Sequence, residues 1–127
     1  MGFFSSLIDL FGRVFIAALF ITSGIEKILN FDSTIIYMEK FNIPIILTIP
    51  AIVVELLLPL LIIFGYKTRL SAFILALFTI SLAVIFHSDF TNQMQIMSFL
   101  KNFAIAGGFL IIFVRGSGKY SIDHKLN

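Results

Sequence analysis

Four long apolar windows alternate with short polar segments along the chain. The windows cover roughly residues 7–29, 44–64, 70–86 and 96–114, each close to the roughly 20 residues that a helix needs to cross a bilayer. Because a backbone in lipid must satisfy its hydrogen bonds internally, we expect helices even where β-branched residues such as Ile62 and Ile111 favour strands in water. The pattern therefore predicts an all-α membrane protein, a four-transmembrane-helix bundle forming one domain over residues 1–127.

The segments outside these windows refine that picture. Residues 30–42 are predicted to form a short interfacial helix, because Ile35, Ile36 and Met38 can share an apolar side while Asp32 and Lys40 reach water. The first window contains two cations and is followed by no small-residue cleavage site, so we interpret it as a retained helix rather than a removable signal.

The composition agrees with a membrane protein and excludes several functions. Hydrophobic residues make up 59% of the chain and charged residues only 13%, which is too apolar for a soluble domain. The net charge of +2 is scattered, so the clustered basic face of a nucleic-acid-binding protein is missing. The chain has no cysteine, which excludes disulfides, thiol exchange and thiolate-bound metals. We therefore expect the lipid bilayer as a partner and no nucleic acid.

The distribution of cations predicts the orientation. Both chain ends and the connector between the second and third windows hold most of them, namely Arg13, Lys67, Arg69, Arg115, Lys119 and Lys125. The opposite side holds Lys27, Lys40 and Lys101. By the positive-inside rule, both termini are predicted to be cytoplasmic.

One carboxylate interrupts the most apolar stretch, IPAIVVELLLPLLIIFG. Glu55 lies about 16 Å beyond Pro44 along a helix, near the middle of the bilayer. A charge at that depth costs about 2.5–3.5 kcal/mol on insertion scales, so Glu55 is expected to face the protein interior, where it is protonated, paired or hydrated. Lys27 is the leading partner, because Ser23, Gly24 and Lys27 form a slim polar strip on the first helix.

These polar groups are predicted to converge in a cavity in the outer half of the bundle. The expected ligand-binding residues are Lys27, Glu55, His87, Lys101 and Asn102, and the supporting residues are Arg13, Ser23, Gly24, Glu26, Arg69, Gly107 and Gly108. No catalytic residue and no metal ligand is assigned. A structural interpretation stands beside each assignment: Glu55 with Lys27 or Lys101 forms an ion pair that sets helix register, and His87 is an ordinary interfacial histidine. The two glycines are then packing surface.

Several motifs together resemble the DoxX family of small bacterial membrane proteins. They are Arg13 in the first helix, FITSGIEKI at its end, Glu55 in the second helix, FGYKTR in the inner turn, FH at the end of the third helix, FLKNFAIAGG in the fourth and GSGKYSID in the tail. The family pattern falls on Arg13, Gly24, Lys27, Glu55, Gly65, Arg69, His87, Lys101, Asn102, Gly107, Tyr120 and Asp123.

This resemblance implies a multi-pass protein of the bacterial inner membrane. The family takes its name from a subunit of an archaeal thiosulfate:quinone oxidoreductase and is linked to membrane-associated thiol and oxidative-stress systems. It therefore implies a redox-associated subunit that is not catalytic alone, that binds a quinone or similar lipophilic ligand and no covalent cofactor, and that assembles with redox proteins or with further copies of itself. A carrier or receptor for a small anion, lipid or hydrophobic solute is an alternative function. A scaffold for membrane partners is another.

Overall fold

Helices account for all the regular structure of the described residues. The computed structural model describes residues 2–126, and within them no strand occurs. The elements are α1 Phe3–Leu29, α2 Phe31–Lys40, α3 Ile45–Phe64, α4 Thr68–Phe86, α5 Gln93–Arg115 and α6 Ile122–Leu126. Of these, α1, α3, α4 and α5 are long and apolar enough to cross a membrane. The predicted all-α fold with four membrane helices is confirmed, and α2 is the short helix expected between the first two.

Three of the membrane helices begin a few residues before the predicted apolar windows. The fourth membrane helix begins at Gln93 rather than at 96 because the Asn92 side chain caps it, accepting a hydrogen bond from the Met94 N–H at 2.9 Å. The first begins at Phe3 rather than at 7 and the third at Thr68 rather than at 70. Hydropathy marks the apolar stretch, whereas hydrogen bonding decides where a helix begins.

The described residues divide into two compact units. The first unit contains α1, α2, α3 and the residues from Ser117 onward, and the second runs from Thr68 to Gly116 and contains α4 and α5. The predicted single domain over residues 1–127 includes Met1 and Asn127, which lie outside the described residues, and it stays a prediction.

In the first unit α1 and α3 pack as antiparallel neighbours. Ala17, Phe20, Ile52 and Ile62 are buried along the two helices. At Gly24 the helices come so close that an added Cβ would lie 2.6 Å from Leu56 Cδ2 and 2.8 Å from Leu56 Cγ. Because lipid tails are as apolar as leucine, close packing rather than water exclusion holds such helices together.

A left-handed glycine ends α3. Gly65 has φ +68°, and its N–H and that of Tyr66 donate to the carbonyls of Ile62 and Leu61. A side chain there would be strained and would also collide with Ser121. The tight turn predicted between the second and third membrane helices therefore depends on this glycine.

In the second unit α4 and α5 also run antiparallel. The rings of Phe73 and Phe113 meet with their centroids 5.0 Å apart, and His87 meets Gln95 near the other end. Small residues line the buried face of α4, including Ala72, Ala76 and Ala83. They permit a close approach between membrane helices.

We expect Gly24→Ala to reduce stability by about 1–3 kcal/mol, because the new methyl group forces Leu56 or the whole of α1 to move. The measurement is thermal unfolding of the purified protein in detergent, followed by circular dichroism. The double variant Gly24→Ala/Leu56→Ala should regain part of the loss. Gly107→Ala is the matched control, since a Cβ there meets no atom within 4 Å. Equal losses in the two glycine variants would contradict the close approach at Gly24.

Candidate functional site

Lys27 and Glu55 form a partly buried ion pair between α1 and α3. The Nζ of Lys27 donates to both carboxylate oxygens, at 2.7 Å to Oε2 and 2.9 Å to Oε1. The Glu55 side chain is only 3% exposed, whereas Lys27 keeps 25% of its side chain exposed. The leading partner predicted for Glu55 is therefore the one that the structure provides.

The directions of the two helices explain why these side chains meet. Helical side chains lean toward the N-terminus of their own helix. Lys27 is in the last turn of α1 and leans back toward the middle of the helix pair. Glu55, in the middle of the antiparallel α3, leans toward the end at which α1 finishes. Lys27 thus neutralises a carboxylate that lies about 15 Å from the start of α3, close to mid-bilayer depth.

The residues around the pair keep the helices close and anchor the end of α1. Gly24 faces Glu55, and a Cβ built on it would lie 3.6 Å from Glu55 Cβ. The Thr34 hydroxyl, at the start of α2, donates to the Lys27 carbonyl at 3.3 Å. Pro59 lies one turn beyond Glu55 and has no N–H, so the Glu55 carbonyl lacks its usual helical donor. The pair therefore lies where the backbone is both closely packed and locally short of a hydrogen bond.

The other predicted residues of the α1 strip contribute less. Ser23 is half-buried and Glu26 is exposed. Within residues 2–126 the Glu26 carboxylate makes no ion pair, although its backbone carbonyl accepts from Asn30. In the first unit the ionic contact at this end of α1 is that of Lys27 with Glu55.

His87, Lys101 and Asn102 belong to the second unit. His87 follows the last residue of α4, and its Nδ1 lies 3.0 Å from Gln95 Oε1, a hydrogen bond when Nδ1 carries the proton. Lys101 is exposed and Asn102 half-buried on α5. Gly107 and Gly108, also on α5, are half-buried. The convergence of these residues with Lys27 and Glu55 on one ligand stays a prediction.

The loop between α4 and α5 carries a stabilised carboxylate. The Thr91 hydroxyl and the Thr91 N–H both donate to Asp89 Oδ1. These two bonds, the hydroxyl contributing more, hold the pKa of Asp89 below its ordinary value and outweigh a small opposing effect of desolvation. Asp89 is fully exposed and serves as a local turn residue.

A second buried ionic group, the Arg13 cluster, joins α1, the end of α3 and the tail of residues 117–126. Arg13 is 1% exposed. Its guanidinium donates to the carbonyls of Ile62 and Ile63 at 3.0 and 2.9 Å and to the Tyr120 carbonyl at 2.6 Å. Its Nε donates to Asp9 at 2.9 Å. Arg13 thus gives the Ile63 carbonyl a donor at the end of α3 and adds a second donor to the Ile62 carbonyl, which also accepts from the Gly65 N–H.

The tail is held by further hydrogen bonds. Asp9 Oδ2 also accepts from the Gly118 N–H at 2.8 Å. The Asp123 N–H donates to the Gly65 carbonyl at 2.8 Å, and the Asp123 carboxylate accepts from the Lys67 N–H. Sequence reasoning missed Asp9, although its spacing of four residues before Arg13 is the signal of a helical ion pair.

This chain is similar to known membrane proteins. The sequence profile of the DoxX family matches residues 8–88. The chain belongs to the DoxX family. It is similar to inner membrane protein YqjF of Escherichia coli strain K12, 40% identical over 118 residues that cover 93% of this chain and 91% of YqjF. It is also similar to inner membrane protein YphA of the same strain, 33% identical over 123 residues that cover 91% of this chain and 88% of YphA. No solved structure matches it significantly.

The part of the chain that matches the DoxX profile includes Arg13, Lys27 and Glu55, which belong to the two ionic groups. The tail, the partner of Arg13, lies beyond the matched residues. No group of three or more histidine, aspartate or glutamate side chains able to hold a metal occurs in residues 2–126.

Lys27→Met should destabilise the protein by about 3–5 kcal/mol, because it leaves the buried Glu55 carboxylate without a counter-charge. Lys27→Met/Glu55→Gln should be more stable than Lys27→Met, since the second change removes that charge. Thermal unfolding of both variants and of Glu55→Gln completes a double-mutant cycle. If the stability losses of the two single variants add up to the loss in the double variant, the two side chains do not interact.

Arg13→Ala should cost about 3 kcal/mol or more, since Asp9 loses its counter-ion and three carbonyls lose a donor. The tail should also be released. Limited proteolysis measures this release as faster cleavage between residues 117 and 126, and thermal unfolding measures the lost stability. Lys40→Ala, which removes an exposed cation from α2, is the control. If Arg13→Ala is cleaved between residues 117 and 126 no faster than the wild-type protein, Arg13 does not hold the tail.

Proposed function

We propose that this DoxX-family chain is a subunit of a redox system in the bacterial inner membrane, where it binds a quinone or similar lipophilic ligand beside Lys27 and Glu55. One observation supports this proposal above the others. A carboxylate lies buried in the middle of a membrane-length helix, and the lysine that neutralises it remains a quarter exposed. Intramembrane ionisable groups of this kind commonly mark ligand or proton sites.

The chemistry of the pair suits a neutral hydrogen-bond acceptor. The Lys27 ammonium has three donors and uses two on Glu55. The third is available to a carbonyl oxygen, such as that of a quinone. Because the charges of Lys27 and Glu55 cancel, the pair attracts a free anion weakly. A neutral, lipid-soluble acceptor therefore fits better than the small anion of the carrier alternative.

Electrons reach such a ligand from a partner protein. The chain has no cysteine with which to exchange thiols, so its own contribution is to position the ligand oxygen through a hydrogen bond from Lys27. This makes it a non-catalytic subunit, alone or as a homo-oligomer, within a larger redox assembly.

The proposed orientation puts the pair in the outer half of the membrane. With both termini cytoplasmic, α1 ends on the outer side, and the relatives' names as inner membrane proteins support the compartment.

The test is equilibrium binding of a short-chain ubiquinone to the purified protein in nanodiscs, measured by calorimetry. Lys27→Met/Glu55→Gln removes the charges without leaving one unpaired. It should weaken binding about tenfold or more, since a hydrogen bond to a charged group contributes about 1.5–3 kcal/mol. Lys40→Met, which removes an exposed lysine from α2, should bind as wild type does.

Two outcomes would refute the proposal. If the wild-type protein binds no quinone, the ligand is wrong. If the double variant binds as tightly as wild type while the protein stays folded, the ion pair has only the structural role of setting helix register.

A further inference from the structure

At one end of the α4 and α5 pair, a guanidinium lies against a glycine whose backbone conformation disfavours any larger residue. A Cβ built on Gly116 would lie 2.9 Å from Arg69 Nε and 3.4 Å from an Nη atom. Gly116 also has φ +73°, a conformation that side chains rarely adopt. The backbone at the end of α5 thus leaves a space for Arg69, and this contact lies wholly within the second unit.

The arginines at this position have no counter-ion. Arg69 and Arg115 are both exposed, and neither side chain makes an ion pair or hydrogen bond with another residue between 2 and 126. Arg115 is the last residue of α5, next to Gly116, so the two cations lie at the same end of the helix pair. By contrast, Arg13 and Lys27 in the first unit each have an acidic partner. The free guanidinium donors are therefore available to an external anion.

The depth and surroundings of these arginines indicate which anion they meet. The 19 residues of α4 span about 28 Å, which matches the hydrocarbon thickness of a bilayer, so Arg69 near its start lies at headgroup level. One turn deeper, the rings of Phe73 and Phe113 touch across the two helices and are 38% and 40% exposed. Leu70, also exposed, lies beside Arg69. A cationic end thus adjoins an apolar surface that runs toward the membrane interior.

We propose that Arg69 and Arg115 form a binding site for an anionic phospholipid. The guanidinium groups bind the lipid phosphate, for which their planar donors are suited. One acyl chain lies along Phe73 and Phe113. Free phosphate would need no apolar surface, and a protein partner would have to displace lipid, so a lipid of the same leaflet fits the observations best. Gly116 positions the site by leaving room for Arg69.

The experiment compares phosphatidylglycerol with phosphatidylcholine binding to the full chain by native mass spectrometry from detergent. Wild type should retain phosphatidylglycerol preferentially. Arg69→Gln and Arg115→Gln should each weaken that binding about tenfold, as expected for a lost charged hydrogen bond. Arg69→Lys should bind phosphatidylglycerol more weakly than wild type but more tightly than the two glutamine variants, since lysine keeps the charge but not the paired donors. Phe73→Ala should weaken binding without any change in charge.

Lys40→Gln is the charge-matched control, since Lys40 is an exposed cation on α2. If it lowers phosphatidylglycerol binding as much as Arg69→Gln does, the attraction is diffuse and the site does not exist. Displacement of the lipid by millimolar inorganic phosphate would likewise overturn the assignment to a lipid. If Arg69→Gln lowers the thermal midpoint but leaves lipid binding unchanged, Arg69 only stabilises the C-terminal end of α5, and the proposal is wrong.

Discussion

A charge buried inside a membrane protein is costly unless another group neutralises it, and this cost favours the way α1 packs against α3. Glu55 lies in the middle of α3, and Lys27 reaches it from the end of α1. The contact requires both the antiparallel direction of the helices and their close approach at Gly24. The ion pair therefore favours the observed register of α1 against α3.

The same requirement applies to the backbone at the other end of these helices. Carbonyls at the end of a helix have no intrahelical donor, and leaving them unsatisfied near lipid is costly. Arg13 donates to two of them in α3, one of which also accepts from the Gly65 N–H, and to a third in the tail, while Asp9 balances its charge and binds the tail as well. Between the two ionic groups the interface is apolar, with Ala17 and Phe20 buried. The α1 and α3 interface is thus held by polar contacts near both ends and by packing between them.

The membrane helices and part of the candidate site were predictable because both follow from local chemistry. A long apolar window has to form a helix in lipid, and a lone carboxylate in such a window has to find a partner, for which Lys27 was the nearest cation on a small-residue face. The Arg13 cluster was less predictable, since most of its acceptors are backbone carbonyls and carry no residue signature. Asp9 was missed although it lies within the first predicted window, because one of its partners, the Gly118 N–H, is a backbone group of the distant tail.

The sequence by itself determined the number of membrane helices, the short helix between the first two and the placement of Glu55 toward the protein interior, because each depends on hydropathy and on the cost of a charge in lipid. Only the tertiary structure decided that Lys27 leans back to pair with Glu55, that the tail residues bind Arg13 and Asp9, and that Arg69 lies against Gly116. These contacts join residues far apart in the chain. They depend on helix direction, register and the absence of a Cβ, which no local pattern of residues specifies.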